Sequence, residues 1–180
     1  MPVLLIIDMQ VGMAWPRFGE RNNPQAEANV AWLLDRWRQA AAPIVHVRHM
    51  SLTPGSVFWP GQPGAEFQPA LAPFDGEHVV EKNVPDAFAL TGLERWLHAR
   101  GHQALVIAGV STNNSVEATA RSAGNLGFRA HVVADACFAY ELTDLRGVRH
   151  PAEEVHQMAL ANLNGEYARV IDMATAEKMV

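Results

Sequence analysis

Short runs of consecutive apolar residues recur along the chain and predict β-strands. The first run, Val3–Ile7, contains no polar position, which is typical of a strand buried on both faces of a parallel sheet. Ala104–Ala108 is nearly as continuous. The strands predicted in this way are Val3–Ile7, Ile44–Val47, His78–Val80, Ala104–Ala108, Arg129–Ala134 and Tyr167–Ile171.

Between these runs, apolar residues recur at helical spacing and predict helices over residues 23–41, 91–101, 114–127 and 151–163. Asn23 is a suitable N-cap for the first, with Pro24 in its first position. Thr91 is expected to cap the second helix, and Asn114 with Glu117 is expected to form a capping box at the third.

Repeated alternation of strand and helix predicts an α/β fold, an open and mostly parallel sheet with helices on both faces. With 180 residues, the chain is expected to form one domain over residues 1–180. The segment from Met50 to Asp75 is rich in proline and glycine and carries several aromatic residues. Such long irregular segments are unusual unless they are functional.

The composition narrows the class of protein. Hydrophobic residues make up 49% and charged residues 18% of the chain, which is ordinary for a globular domain. The net charge is −5 without a basic run, so we expect no nucleic-acid partner and no binding to a membrane surface. The N-terminal apolar run is too short for a signal peptide or a membrane span. A single cysteine, Cys137, excludes an internal disulfide, and the cytoplasm is the expected location.

Three of the predicted strands end next to residues that could perform chemistry. Asp8 follows the first strand, Lys82 the third, and Ser111 to Ser115 the fourth. Ligands of open parallel sheets bind outside the carboxyl ends of the strands, so these side chains are expected to converge. Taken singly, Asp8 could be a cap, Lys82 a solvated residue and Ser115 an ordinary member of a first helical turn.

The residues around these positions resemble the isochorismatase-like, or cysteine hydrolase, family. The resemblance rests on Asp8-Met9-Gln10, on Lys82 followed by Phe88, and on the run from Gly109 to Arg121, and it covers essentially the whole chain. It implies a three-layer sandwich around a six-stranded, mostly parallel, Rossmann-like sheet.

The resemblance also implies roles for individual residues. The catalytic triad of the amidase members corresponds to Asp8, Lys82 and position 115. The peptide bond between Val110 and Ser111 is expected to be cis, and the backbone N–H groups of Ser111 and Ser115 are expected to form an oxyanion hole.

This chain has Ser115 where the amidases of the family have cysteine. A thiol ionises readily, whereas a serine hydroxyl needs a base to accept its proton, and a lysine base must be neutral. Three explanations stay open. Ser115 is a working nucleophile, or no nucleophile is needed, as in isochorismatase members that cleave a vinyl ether with the aspartate as general acid. Alternatively, the serine replaces the nucleophile of a cysteine enzyme and the chain no longer turns over. Cys137, interpreted as a small half-buried residue after the fifth strand, is not an obvious substitute.

We expect neither a metal nor a cofactor. The nicotinamidase relatives bind metal through an Asp-x-His pair after the second strand, and that aspartate is missing here. His46 and His49 are expected to point to opposite faces of a strand, which is poor ligand geometry. His156 is interpreted as structural. The glycine-rich fingerprint of dinucleotide-binding proteins does not follow the first strand.

The substrate-binding candidates lie at the same edge of the predicted sheet. Arg48 and His49 end the second strand, where either could meet an anionic group of a substrate. Gln10, Trp15 and Trp59 are candidates for walls of the pocket, although large aromatic residues on loops could equally mark a subunit interface.

The sequence therefore predicts a hydrolase of a small molecule, acting on an amide C–N bond or an isochorismate-type vinyl ether. The alternative is a catalytically silent member that binds a small ligand. By resemblance, a homodimer or homotetramer is expected.

Overall fold

A six-stranded parallel sheet forms the centre of the computed structural model, which describes residues 1–180. Its strands lie in the order β3-β2-β1-β4-β5-β8, and all five neighbouring pairs are parallel. They are β1 (Val3–Ile7), β2 (Ile44–His49), β3 (His78–Lys82), β4 (Ala104–Val110), β5 (Arg129–Phe138) and β8 (Arg169–Ile171). The predicted α/β class and six-stranded parallel sheet are confirmed.

Helices cover both faces of the sheet, and a short antiparallel hairpin lies outside it. The helices are α1 (Ala26–Gln39), α2 (Leu93–Ala99), α3 (Glu117–Asn125), α4 (Ala152–Leu163) and α5 (Met173–Ala176). The hairpin pairs β6 (Leu142–Thr143) with β7 (Arg149–His150). None of these helices is long and apolar enough to cross a membrane.

The continuous apolar run of β1 supplies two hydrophobic cores, one on each face of the sheet. Leu5 and Ile7 belong to a cluster with residues of α2, α3 and α4, whereas Leu4 and Ile6 belong to a cluster with α1 and α5. Alternate residues of a strand point to opposite faces, so a run without polar positions is what a central strand between two helical layers requires.

Several local predictions differ from the structure. α1 begins at Ala26 rather than beside Asn23, because the Asn23 amide donates hydrogen bonds to the carbonyls of Ala134 and Cys137 instead of capping the helix. Thr91 is close to its predicted role, since its hydroxyl accepts a hydrogen bond from Leu93 N.

The start of the third helix and the end of the fifth strand also differ. A single π-helical turn, Thr112–Val116, precedes α3, and no side chain caps it, so the predicted capping box is absent. Glu117 pairs with Arg121 instead. β5 continues beyond Ala134 to Phe138 through a shift in its register with β4.

The chain order of the sheet reverses between β1 and β4, which lie side by side at its centre. The connections from β1 lead outwards to β2 and β3, and those from β4 lead outwards to β5 and β8 on the other side. Such a switch point opens a crevice at the carboxyl ends of the two strands. Asp8 follows β1 and Ser111 follows β4, so both lie at this crevice.

Gly109 allows β1 and β4 to approach each other beside the crevice. Its φ is +130°, and a Cβ placed there would lie 2.1 Å from the carbonyl oxygen of Ile7. No side chain can occupy that space without displacing the backbone of a central strand, so the position requires glycine.

We predict that Gly109→Ala lowers the free energy of unfolding by about 3 kcal/mol or more, because strained backbone and a steric clash add. Gly127→Ala is the matched control, since Gly127 also has a positive φ but has open space around it. That variant is expected to lose only about 1–2 kcal/mol. Urea unfolding of the three proteins measures both losses, and equal losses would contradict the steric explanation.

Candidate active site

Asp8 lies directly after β1, and its carboxylate is buried. Its φ is +51°, which is uncommon for a residue with a side chain, and its N–H donates to the carbonyl of Val47. The side chain is only 1% exposed. Oδ2 accepts a hydrogen bond from Lys82 Nζ at 2.7 Å, whereas Oδ1 has no hydrogen-bond partner in the protein. One buried carboxylate oxygen is therefore left without a hydrogen bond.

Lys82 is the last residue of β3, two strands away from β1, and its ammonium reaches back across β2. The side chain has no exposed surface. Besides the contact with Asp8, Nζ donates to Ser115 Oγ at 3.3 Å. One ammonium group therefore connects the carboxylate that follows β1 with the hydroxyl that follows β4. This convergence was predicted from the sequence, because Asp8, Lys82 and Ser115 all lie at or after the ends of predicted parallel strands.

Ser115 lies in the π-helical turn between β4 and α3 and is buried. Ser111 directly precedes the turn, and its carbonyl accepts hydrogen bonds from the N–H groups of Asn114 and Val116. The peptide bond between Val110 and Ser111 is cis, and the Ser111 N–H has no acceptor within the protein. Ser115 therefore stands two residues before α3, where the dipole of the helix favours negative charge.

His156 and Thr112 hold this turn against α4. Thr112 Oγ1 lies 2.8 Å from His156 Nδ1, and both residues are buried. Burial lowers the pKa of His156, which favours a neutral ring. The sequence offered no signal for this contact, because the two residues are 44 positions apart and only Thr112 belongs to the run from Gly109 to Arg121.

A cavity of about 310 Å³ is lined by Asp8 and Ser115, two of the three converging residues. It is lined by polar groups from the strand ends and the π-helical turn, together with apolar and aromatic residues from loops. The lining residues are Asp8, Met13, Phe18, His49, Phe58, Pro85, Ser111, Asn114, Ser115 and Tyr140. The cavity, the unpaired carboxylate oxygen and the serine hydroxyl thus form one site.

The two residues that end β2 point in opposite directions. His49 lines the cavity beside its register partner Lys82, whereas Arg48 faces the other side of the sheet. There Arg48 forms a salt bridge with Glu81 and lies 3.8 Å from Glu66. Arg48 is therefore not in a position to meet a substrate in this cavity, because alternation along the strand turns it away.

Gln10, Trp15 and Trp59 do not line the cavity. The amide of Gln10 is completely buried, donates to the carbonyls of His49 and Ala65, and accepts from His49 N. These hydrogen bonds fix the end of β2, so Gln10 positions the backbone of His49 without lining the cavity. Both tryptophans are partly exposed and belong to the surrounding loops.

The aromatic walls of the cavity were missed by the sequence-based prediction. Phe18 lies between Phe58 and Tyr140, with ring centroids 6.0 and 5.4 Å away. These residues come from three loops that are distant in the sequence, and loop residues have no periodicity that could reveal a shared cavity. The aromatic residues of the segment from Met50 to Asp75 were the only available signal.

Cys137 belongs to β5 and does not follow it, which corrects the sequence-based assignment. It is completely buried, and burial raises the pKa of its thiol to about 12. A thiolate is therefore inaccessible near neutral pH, and Cys137 does not line the cavity. His46 is also buried, facing Glu77 at 2.8 Å on the side of the sheet opposite His49.

Comparisons with known proteins agree with the fold. A solved structure of a protein of the isochorismatase family from Chromobacterium violaceum is 50% identical, with a TM-score of 0.96 over 99% of this chain and 94% of that one. An isochorismatase family protein of Bacillus subtilis is 33% identical over 93% of this chain and 90% of its own length. Nicotinamidase 3 of Arabidopsis thaliana is 30% identical over 94% of this chain and 83% of its own.

The model of the isochorismatase domain matches residues 2–175, nearly the whole chain. The matched range includes β1, β3 and β4, whose ends carry the buried carboxylate, ammonium and hydroxyl described above. The chain belongs to the isochorismatase family.

Proposed function

We propose that the chain hydrolyses a small molecule in this cavity, with Ser115 as the nucleophile and Asp8 and Lys82 as its proton-transfer partners. The observation that carries the proposal is the position of Lys82 Nζ, within hydrogen-bond distance of both Asp8 Oδ2 and Ser115 Oγ. The nicotinamidase among the relatives supports an amide as the bond to be cleaved. An ester, which has the same carbonyl chemistry and a better leaving group, serves as a convenient probe.

In this mechanism Lys82 moves a proton between the other two groups. As Ser115 Oγ attacks the carbonyl carbon, its proton passes to Nζ while Nζ passes a proton to Asp8 Oδ2. Lys82 thus remains an ammonium, and Asp8 becomes the carboxylic acid. The buried carboxylic acid then protonates the leaving amine as the C–N bond breaks. Water hydrolyses the resulting acyl ester of Ser115 by the same steps in reverse.

The turn before α3 is suited to stabilise the negative charge that develops on the carbonyl oxygen. Backbone N–H groups at the start of a helix act as fixed donors for an oxyanion. The Ser111 N–H lacks an acceptor in the protein and belongs to a residue that lines the cavity. We assign the oxyanion hole to the N–H groups of Ser111 and Ser115.

Two other possibilities make different demands on the same residues. Cleavage of a vinyl ether needs Asp8 as an acid but does not need Ser115. A catalytically silent family member would bind a small ligand without turning it over, so neither residue would take part in a reaction. The two variants below separate these possibilities from the proposal.

We predict that Asp8→Asn lowers kcat for para-nitrophenyl acetate by roughly 10²–10⁴-fold, because the amide cannot accept the proton. Asp35→Asn, a change of the same kind on the exposed face of α1, is the control and is expected to keep full activity. Since the variant leaves the Lys82 ammonium buried and unpaired, circular dichroism must first show that it is folded. A folded Asp8→Asn protein with unchanged kcat would remove Asp8 from the mechanism.

We predict that Ser115→Ala lowers hydrolysis of para-nitrophenyl acetate by roughly 10³-fold or more. Ser122→Ala on α3 is the matched control, because Ser122 hydrogen-bonds to Asp86 outside the cavity. Ser115→Cys is expected to remain active and to become sensitive to iodoacetamide. Retained activity in Ser115→Ala would instead indicate chemistry without a nucleophile at this position.

A further inference from the structure

We propose that this cavity selects an uncharged substrate with a compact apolar or aromatic body, and that it rejects substrates carrying a carboxylate beyond the scissile group. The inference concerns the same site and rests on the proposed function for its link to turnover. Its main evidence is separate, however, because it comes from the walls of the cavity and from the lack of an unpaired cation beside them. It also implies that isochorismate, which carries two carboxylates, is not the substrate.

The walls away from the reacting groups are apolar and aromatic. Met13, Phe18, Phe58, Pro85 and Tyr140 form them. The hydroxyl of Tyr140 already donates to the backbone carbonyl of Met13, so this residue presents its ring rather than a free donor. A substrate body in contact with these residues gains most if it is apolar, and a flat ring gains further from aromatic contacts.

No cation is available in the cavity for an anionic substrate. The ionisable residues in the lining are Asp8, His49 and Tyr140. Burial raises the pKa of Tyr140 to about 12, so its phenol is neutral, and a phenol never supplies a positive charge. The buried ammonium of Lys82 already interacts with Asp8 and Ser115. A substrate carboxylate would therefore lose its hydration, find no partner of opposite charge, and lie near the carboxylate of Asp8.

The arginines near the site do not change this balance. Arg48 is engaged by Glu81 and Glu66 on the other face of the sheet. Arg21 is paired with Glu27. Arg17 lies with its guanidinium 5.6 Å from the ring centroid of Phe18, but it is exposed and is not part of the lining.

Besides Asn114, which also lines the cavity, His49 is a polar group that remains for recognition of the substrate. Its backbone is held by Gln10, while its ring has no hydrogen-bond partner in the protein and packs edge-on against Phe58. Burial, with a further contribution from the Lys82 ammonium, lowers the pKa of His49. A neutral imidazole offers one donor and one acceptor, which suits an uncharged polar atom on the substrate.

The test compares three benzamides that differ only in the para substituent, which is neutral, anionic or cationic. They are para-methylbenzamide, para-carboxybenzamide and para-(aminomethyl)benzamide. Binding to the Ser115→Ala protein is measured by calorimetry, so that no turnover is required, and competition in the native protein provides a second measurement. We expect para-methylbenzamide to bind at least about tenfold more tightly than para-carboxybenzamide. The free-energy cost of burying an unpaired charge is larger than the difference in binding free energy that a tenfold ratio represents.

A second variant tests the cause of the selectivity. Met13→Lys places an ammonium on the apolar wall, and we expect it to shift the preference towards para-carboxybenzamide by at least about tenfold. Met13→Gln, which adds polarity without charge, is the control and is expected to leave the order of the three ligands unchanged.

The possible outcomes separate the selectivity from the proposed hydrolysis. Equal or tighter binding of para-carboxybenzamide, or no binding of any of the three at millimolar concentration, would overturn the inference. If the expected order is observed but native protein does not hydrolyse para-methylbenzamide or para-nitrophenyl acetate, the selectivity stands and the proposed function fails.

Discussion

The ion pair between Asp8 and Lys82 is the interaction on which the organisation of the site depends. Both side chains are almost completely removed from solvent, and their charged atoms are 2.7 Å apart. Removing two charges from water is costly, and a well-packed apolar pair is often at least as stable. Stability alone therefore gives no reason to keep this pair. Its position against a serine hydroxyl, with one carboxylate oxygen left unpaired, is what the proposed hydrolysis uses.

The sheet order explains how residues so far apart in the sequence form this site. β1 and β4 are neighbours at the switch point, and Gly109 allows their backbones to approach. β3 is two strands away, so only a long side chain such as Lys82 can reach the crevice from it. His49 on the intervening strand then lies beside that side chain and completes the wall of the cavity.

The convergence of Asp8, Lys82 and Ser115 could be predicted because strand ends are visible in the sequence and the rule for parallel sheets places them together. The walls of the cavity could not be predicted, since Phe18, Phe58 and Tyr140 meet only after three loops have folded. Errors in the predicted local structure arise because a side chain that could cap a helix can form other hydrogen bonds instead. Asn23 has the chemistry of a helix cap, yet its amide is used by two carbonyls of a distant strand end.

The orientations of Arg48 and His49 likewise could not be predicted from the sequence, and they affect the inferred function. Both end the same strand, and alternation separates them, but the sequence does not reveal which face of β2 is turned towards the crevice. That choice changes the predicted chemistry, because a cavity with Arg48 would attract anions and a cavity with His49 has no such charge. Which of these two side chains lines the cavity therefore decides whether the binding site attracts anions.

The most direct test of the account is whether an acyl group becomes attached to Ser115 during turnover. Native protein would be mixed with para-nitrophenyl acetate, quenched in acid, digested and examined by mass spectrometry. The account predicts an acetyl group on the peptide that contains Ser115 and on no other peptide in stoichiometric amount. Steady release of para-nitrophenolate, with Ser115 unmodified at every time point and another residue acetylated in its place, would contradict it.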